Sequence, residues 1–234
     1  MVTVDSHPAG APAWFELMAR DGTAGRDFYT GLLGWGVQPW PREHGDYLVC
    51  TLGERAVAGI DEPTGPHAAV PAGWLVYFNV ADADATAGLV AEAGGSIVVA
   101  PTDLPGAGRY LMARDPLGAV FGVWEARGHI GSGAVGEPGA PSWTELRVGP
   151  DGRDAATAFY TAVLGDGLPH ALIRDIDGPV PGWVPFFGTA DLEEAAAAAA
   201  AAGAAVGDRV DTPAGDGVLL VDPGGAHVGL VMVG

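Results

Sequence analysis

The chain has 234 residues, enough for two compact units of roughly 100 residues or more, each able to bury its own core. Its formal net charge is −18 and all 11 basic residues are arginine, which excludes Schiff-base lysine chemistry and leaves neither nucleic acid nor a membrane surface as an expected partner. The single Cys50 forms no internal disulfide, no apolar run approaches the roughly 20 residues of a membrane span, and the segment before Pro12 lacks the basic and apolar stretches of a signal peptide, so a soluble cytoplasmic protein is expected.

In chain order, residues 14–19 alternate as a strand and residues 23–33 have helical periodicity ending near Gly34. Residues 47–52 and 55–60 read as a pair of strands turned at Gly53-Glu54. The pattern then restarts: a strand over 74–80, a helix over 84–93 stopped by Gly94-Gly95, and strands over 96–100, 109–113 and 120–124. Residues 127–141 concentrate Gly and Pro and offer little to a core, so they read as a linker between a first domain over 1–126 and a second over 142–234. In the second domain an Ala-rich helix over 192–202 follows Asp191 as cap and precedes Gly203 as stop.

The two domains repeat one another. Trp14-Phe15-Glu16-Leu17 returns as Trp143-Thr144-Glu145-Leu146, Phe28-Tyr29-Thr30-Gly31-Leu32-Leu33-Gly34 as Phe159-Tyr160-Thr161-Ala162-Val163-Leu164-Gly165, and Asp115-Pro116-Leu117-Gly118-Ala119 as Asp222-Pro223-Gly224-Gly225-Ala226. The second copy is abridged in its middle, because Gly34 to Trp74 spans 40 positions and Gly165 to the matching Trp183 only 18. Two strands and a turn hardly fit there, whereas the last quarter is intact.

Two βαβββ modules per domain, a Phe-Tyr pair in the first helix followed by Leu-Gly, and Asp-Pro-x-Gly before the last strand together resemble the vicinal oxygen chelate superfamily, the group of glyoxalase I, bleomycin-resistance proteins, fosfomycin-resistance enzymes and extradiol dioxygenases. The resemblance covers nearly the whole chain. It is greatest to the tandem glyoxalase-like branch whose domains open with Trp-x-Glu-Leu and close with Ala-x-Phe-Gly-x-Trp, here Ala119 to Trp124. It implies an α+β fold of two tandem domains, each a half-open barrel of paired βαβββ modules around a metal or an organic ligand. In metal-binding relatives the ligand positions correspond here to Trp14, Leu75 and Gly122, none of which offers a donor. In the second domain, counting back from Phe159 gives Glu145 whereas matching the motifs gives Trp143, and Val184 and Gly229 fill the other positions. No set of three or four ligands results, so neither metal nor other cofactor is expected.

Strand residues two apart share a face, so the first cup should present Trp14, Glu16 and Met18, then Leu75, Tyr77 and Asn79, then Val120, Gly122 and Trp124. Such an aromatic lining with one carboxylate, one phenol and one amide suits a flat, mostly apolar organic ligand, with Gly122 as empty space; alternatively the indoles simply fill the cup. Glu16 is the candidate acid or base, since indole walls disfavour its ionised form, and Tyr77 is its candidate partner. A structural role for Glu16 stays open because the same residue recurs as Glu145, where Arg147 on the same face predicts an ion pair. His44, Asp46 and Tyr47 fall in the segment expected to rim the first cup. His7, His67, His129, His44 and His170 are expected to be solvated, and His227 to face the second cup.

These residues lead to two expectations: a metal-independent enzyme for isomerisation, cyclisation or elimination on an aromatic or polycyclic natural-product-like compound, or a protein that sequesters an antibiotic. A glyoxalase-like metal lyase is the weaker third. The first cup is expected to carry the main site, and a homodimer stays open.

Overall fold

The structure is a computed structural model that describes residues 4–42, 45–165, 168, 170–177 and 182–234. The described residues form two sheets and four α-helices. The first half contains β1 (Pro12–Met18), α1 (Gly22–Leu33), β2 (Gly36–Arg42), β3 (Gly45–Leu52), β4 (Arg55–Asp61), β5 (Gly73–Asn79), α2 (Ala83–Glu92), β6 (Ser96–Leu104), β7 (Gly108–Arg114) and β8 (Val120–Ala126). These strands form one curled eight-stranded sheet in the order β2-β3-β4-β1-β5-β8-β7-β6. The two modules meet where β1 and β5 run antiparallel, with Trp14 opposite Tyr77 and Glu16 opposite Leu75. The same face therefore carries all four side chains.

The second half contains β9 (Pro141–Val148), α3 (Arg153–Leu164), β10 (Ala171–Asp175), β11 (Gly182–Thr189), α4 (Leu192–Ala201), β12 (Ala205–Thr212), β13 (Gly215–Val221) and β14 (His227–Met232), with sheet order β10-β9-β11-β14-β13-β12. β10 lies parallel to β9 as β4 lies parallel to β1. Among the described residues no strand answers to the β2–β3 hairpin, while the strand that closes the module is kept.

Local chemistry fixes the helix ends. Asp21, Asp82 and Asp191 each accept the backbone N–H three residues on, at 2.9 Å, and Gly34 ends α1 with φ 69°. Strand β2 is not among the strands read in chain order, and it contains Pro39 and Pro41, which lack the backbone donor of a ladder. It is an edge strand, paired to β3 alone, and an edge tolerates the missing donors.

The repeated motifs turn out to join the two halves. Trp74 Nε1 donates to the Tyr29 hydroxyl at 2.8 Å, which donates to Asp222 of the second half at 2.8 Å. Reciprocally, Trp183 Nε1 donates to the Tyr160 hydroxyl at 2.8 Å, which donates to Asp115 of the first half at 3.0 Å. Burial, and next the facing aspartate, raises both phenols well above the usual tyrosine range. Burial also raises Asp115, against the opposing pull of backbone N–H groups. Around these chains one apolar core runs between the sheets, with Phe78 packed on Trp183 and Trp74 on Phe187 at ring centroid distances of 4.8 and 5.0 Å.

The Gly/Pro-rich segment over 127–141 joins the sheets, but the expectation that it contributes little to a core is corrected. Ala134 and Ala140 are fully buried. Ser132 and Gly133 donate backbone N–H groups at 2.7 Å to the carbonyls of Ala13 and Ala56, and Ser132 Oγ donates to Val57 O at 2.7 Å. β1 and β4 pair directly only from Glu16 and Gly59 onward. The segment supplies the hydrogen bonds that their diverging ends would otherwise lack.

Candidate functional site

The curled sheet bears a pocket lined by Trp14, Glu16, Tyr47, Tyr77, Tyr110, Trp124 and His129, with Trp40, Val49, Leu104, Ala107 and Gly131 completing its walls. About 550 Å³ of empty space lies among these side chains, part of it open to solvent.

Glu16 lines this pocket and is 2 % exposed. The Tyr77 hydroxyl donates to its Oε2 at 2.5 Å. Trp14 Nε1 donates to the Tyr47 hydroxyl at 2.8 Å, and Trp124 Nε1 donates to the His129 carbonyl at 2.8 Å, so both indoles are fixed walls with satisfied N–H groups. The His129 ring stands edge-on to Trp14 at 4.8 Å. Its pKa is lowered, first by burial and then by nearby His7.

Of the residues singled out in the sequence, Trp14, Glu16, Tyr47, Tyr77 and Trp124 meet in this pocket. Met18 and Leu75 lie beneath it in the same apolar cluster, 1 % and 2 % exposed. Asn79 is at the far end of β5, where Nδ2 donates to the His7 carbonyl at 2.7 Å and holds the N-terminal segment rather than facing a ligand. Gly122 is corrected: it is not empty space, because a Cβ there would run into the Tyr77 ring. Gly59 seats Tyr47 in the same way on β4.

Trp143, Glu145 and Arg147 belong to the other sheet and do not reach this pocket. Glu145 is fully buried and accepts from Arg147 at 3.2 Å and from Arg174 at 2.9 Å, so the expected ion pair has a second arginine. Phe186 fills the notch at Gly229, and Trp143 Nε1 is buried without a hydrogen-bond partner among the described residues.

Sequence reasoning missed Tyr110 and His129. Tyr110 was within reach, since β7 pairs antiparallel with β8 and sets Tyr110 opposite Trp124, on the cup face. His129 gave no such signal, as it lies outside the strands. The expectation of solvated histidines is also corrected: His7 Nε2 is 3.0 Å from Ser132 O, and His67 bridges Asp61 and Tyr110. His170 is exposed as expected, His227 is exposed at the start of β14, and both His44 and the Asp46 side chain lie outside what is described.

The positions that the resemblance equates with metal ligands carry Trp14, Leu75 and Gly122, and the Gly122 and Gly59 notches are occupied by tyrosine rings. Among the described residues no three His, Cys, Asp or Glu side chains converge as a ligand set. This donor set does not fit a divalent ion of the family type. None of the described helices is long and apolar enough to cross a membrane.

The model of the Glyoxalase/Bleomycin resistance protein/Dioxygenase superfamily matches residues 11–123. The Mycobacterium tuberculosis protein named "Putative glyoxylase CFP32" is 36% identical over 93% of this chain and 92% of its own length. The anthracycline biosynthesis protein DnrV of Streptomyces peucetius is 34% identical over 95% of this chain and 93% of its own. In fold, the Mn(II)-bound glyoxalase of Novosphingobium aromaticivorans superposes with a TM-score of 0.61 at 18% identity, over 94% of this chain and 80% of that one.

Proposed function

The chain belongs to the glyoxalase/bleomycin resistance protein/dioxygenase superfamily, and from that premise we propose that it is a metal-independent acid–base enzyme acting on a flat aromatic or polycyclic, natural-product-like compound. The observation that carries this reading is the Tyr77 hydroxyl on the buried Glu16 carboxyl in an aromatic-walled pocket. Glu16 would move a proton on the inserted edge of the ligand, with Tyr77 as the neighbouring hydrogen-bond donor, in an isomerisation, cyclisation or elimination. Trp14, Tyr47 and Trp124 would hold the ring system by stacking and apolar contact. The name of DnrV, which places that relative in anthracycline biosynthesis, agrees with a polycyclic ligand.

A second reading, a protein that sequesters such a compound, is favoured by one feature: the two indole walls are already locked by hydrogen bonds and need no rearrangement to bind. Titration of tryptophan fluorescence with a planar polycyclic ketone tests the site common to both. Trp14→Ala should weaken binding at least about tenfold, the range of a lost aromatic anchor, while folded Trp143→Ala binds as the parent does. Loss of binding in Trp143→Ala alone would move the site to the second sheet.

A further inference from the structure

We propose that Tyr110 is a second proton-transfer group of this pocket, and that His67 and Asp61 behind it form the relay that takes up its proton. The Tyr110 hydroxyl is 2.9 Å from His67 Nε2, and His67 Nδ1 is 3.2 Å from Asp61 Oδ2. Tyr110 lines the pocket with Glu16, whereas Asp61 ends β4 and is 4 % exposed. An ionised carboxylate only accepts, so the proton of neutral His67 resides on Nδ1 and the Nε2 lone pair faces the phenol. The short 3₁₀ turn over Gly65–Ala69 fixes the His67 backbone, with His67 N donating to Thr64 O at 3.1 Å and Val70 N donating to His67 O at 2.9 Å. A pocket-facing hydroxyl, an imidazole within hydrogen-bond reach and a carboxylate orienting that imidazole are the parts of an activated proton acceptor.

In the step, a ligand O–H or activated C–H bond breaks and its proton bonds to the Tyr110 oxygen as that oxygen's own proton passes to His67 Nε2. The ligand keeps the electron pair as an enolate or phenolate, and the imidazolium is held against Asp61. Reversal of both transfers onto a different ligand atom restores the site, so the net change is a proton shift within the ligand and no co-reactant is consumed.

The inference rests on the acid–base reading of the pocket, and the test separates the two. A dihydroxyanthraquinone serves as probe because its visible absorbance reports ionisation of its phenol. Bound to the parent protein, it should ionise at a pH lower by about one unit or more than when bound to His67→Gln, a tenfold change in ionisation constant. Asp61→Asn and Tyr110→Phe should shift it the same way. Equal ionisation in the parent and His67→Gln overturns the relay. If the probe does not bind, the proposed ligand class is what fails, and ¹⁵N NMR of histidine-labelled, unliganded protein decides the relay alone. His67 protonated on Nδ1, with an Nε2 shift that responds to Tyr110→Phe, supports it. Protonation on Nε2, or indifference to Tyr110→Phe, overturns it.

Discussion

Gly122 on β8 and Gly229 on β14 each lie under an aromatic ring, Tyr77 in the first sheet and Phe186 in the second. A methyl group at either position meets that ring, and overpacking of this kind costs about 1–3 kcal/mol. Gly122→Ala and Gly229→Ala should therefore lower thermal stability similarly. Gly122→Ala should also weaken ligand binding, because it displaces the Tyr77 ring that lines the pocket, whereas Gly229→Ala should bind normally. Calorimetry with a fluorescence titration checks both, and normal binding by Gly122→Ala would contradict the placement of Tyr77 in the site. His129 makes a pH-dependent prediction. Burial and then His7 hold it below its usual value of 6.5, so the folded state prefers neutral imidazole. That contribution is present above the unfolded value and is lost as pH falls through the folded one. The Trp14 and Trp124 fluorescence should change with a midpoint below pH 6.5, and the step should vanish in His129→Gln; a midpoint above 6.5 would contradict it.

At the level of elements, α1 and α3 each carry a tyrosine that links a tryptophan of its own half to an aspartate of the other. Tyr29→Phe or Tyr160→Phe leaves a buried indole N–H without its acceptor, a loss of about 1–3 kcal/mol. Both phenols titrate in the unfolded chain near the ordinary value of 10.0 and remain protonated above it in the fold. Stability from these groups is complete below that value and falls as pH rises past it, since the unfolded state then releases protons that the folded state retains. Denaturant melts between pH 9 and 11 should show this decline in the parent and a shallower one in Tyr29→Phe; identical slopes would contradict the shift.

These same residues show what was legible in the sequence and why. Phe-Tyr, Leu-Gly and Asp-Pro-x-Gly marked the repeat because they perform a repeated structural task, and their spacing also located the missing hairpin. The alternation of Trp14, Glu16 and Met18 gave the cup face for the same reason, a period of two along β1. What alternation does not encode is the contact between distant segments. The roofing of Gly122 by Tyr77, the insertion of Ser132 between β1 and β4, and the His67 bridge to Tyr110 all depend on how segments far apart in the chain meet.

For the whole molecule, two sheets share one core but differ in what their faces hold. The first has a pocket lined by a buried carboxyl, and the second a buried Glu145 paired with Arg147 and Arg174. This asymmetry predicts one ligand per chain, bound at the first sheet. It also predicts that purified protein binds without stoichiometric zinc, iron, nickel or manganese, so that a chelator leaves activity unchanged. Elemental analysis finding about one such ion per chain, as a site of three or four ligands would hold, together with loss of activity on chelation, would overturn that part. The central claim is that Glu16 performs proton transfer on a flat ligand, and it is tested most directly by mass spectrometry and isotope exchange. Candidate polycyclic compounds are incubated in deuterated water with the parent and with Glu16→Gln, which keeps the shape but removes the titrating group. The account predicts deuterium incorporation or a new isomer with the parent, and a fall in rate on the order of 10²-fold in the variant with affinity little changed. Ligands that bind the parent and are recovered unlabelled and unaltered, or equal turnover by folded Glu16→Gln, would contradict it.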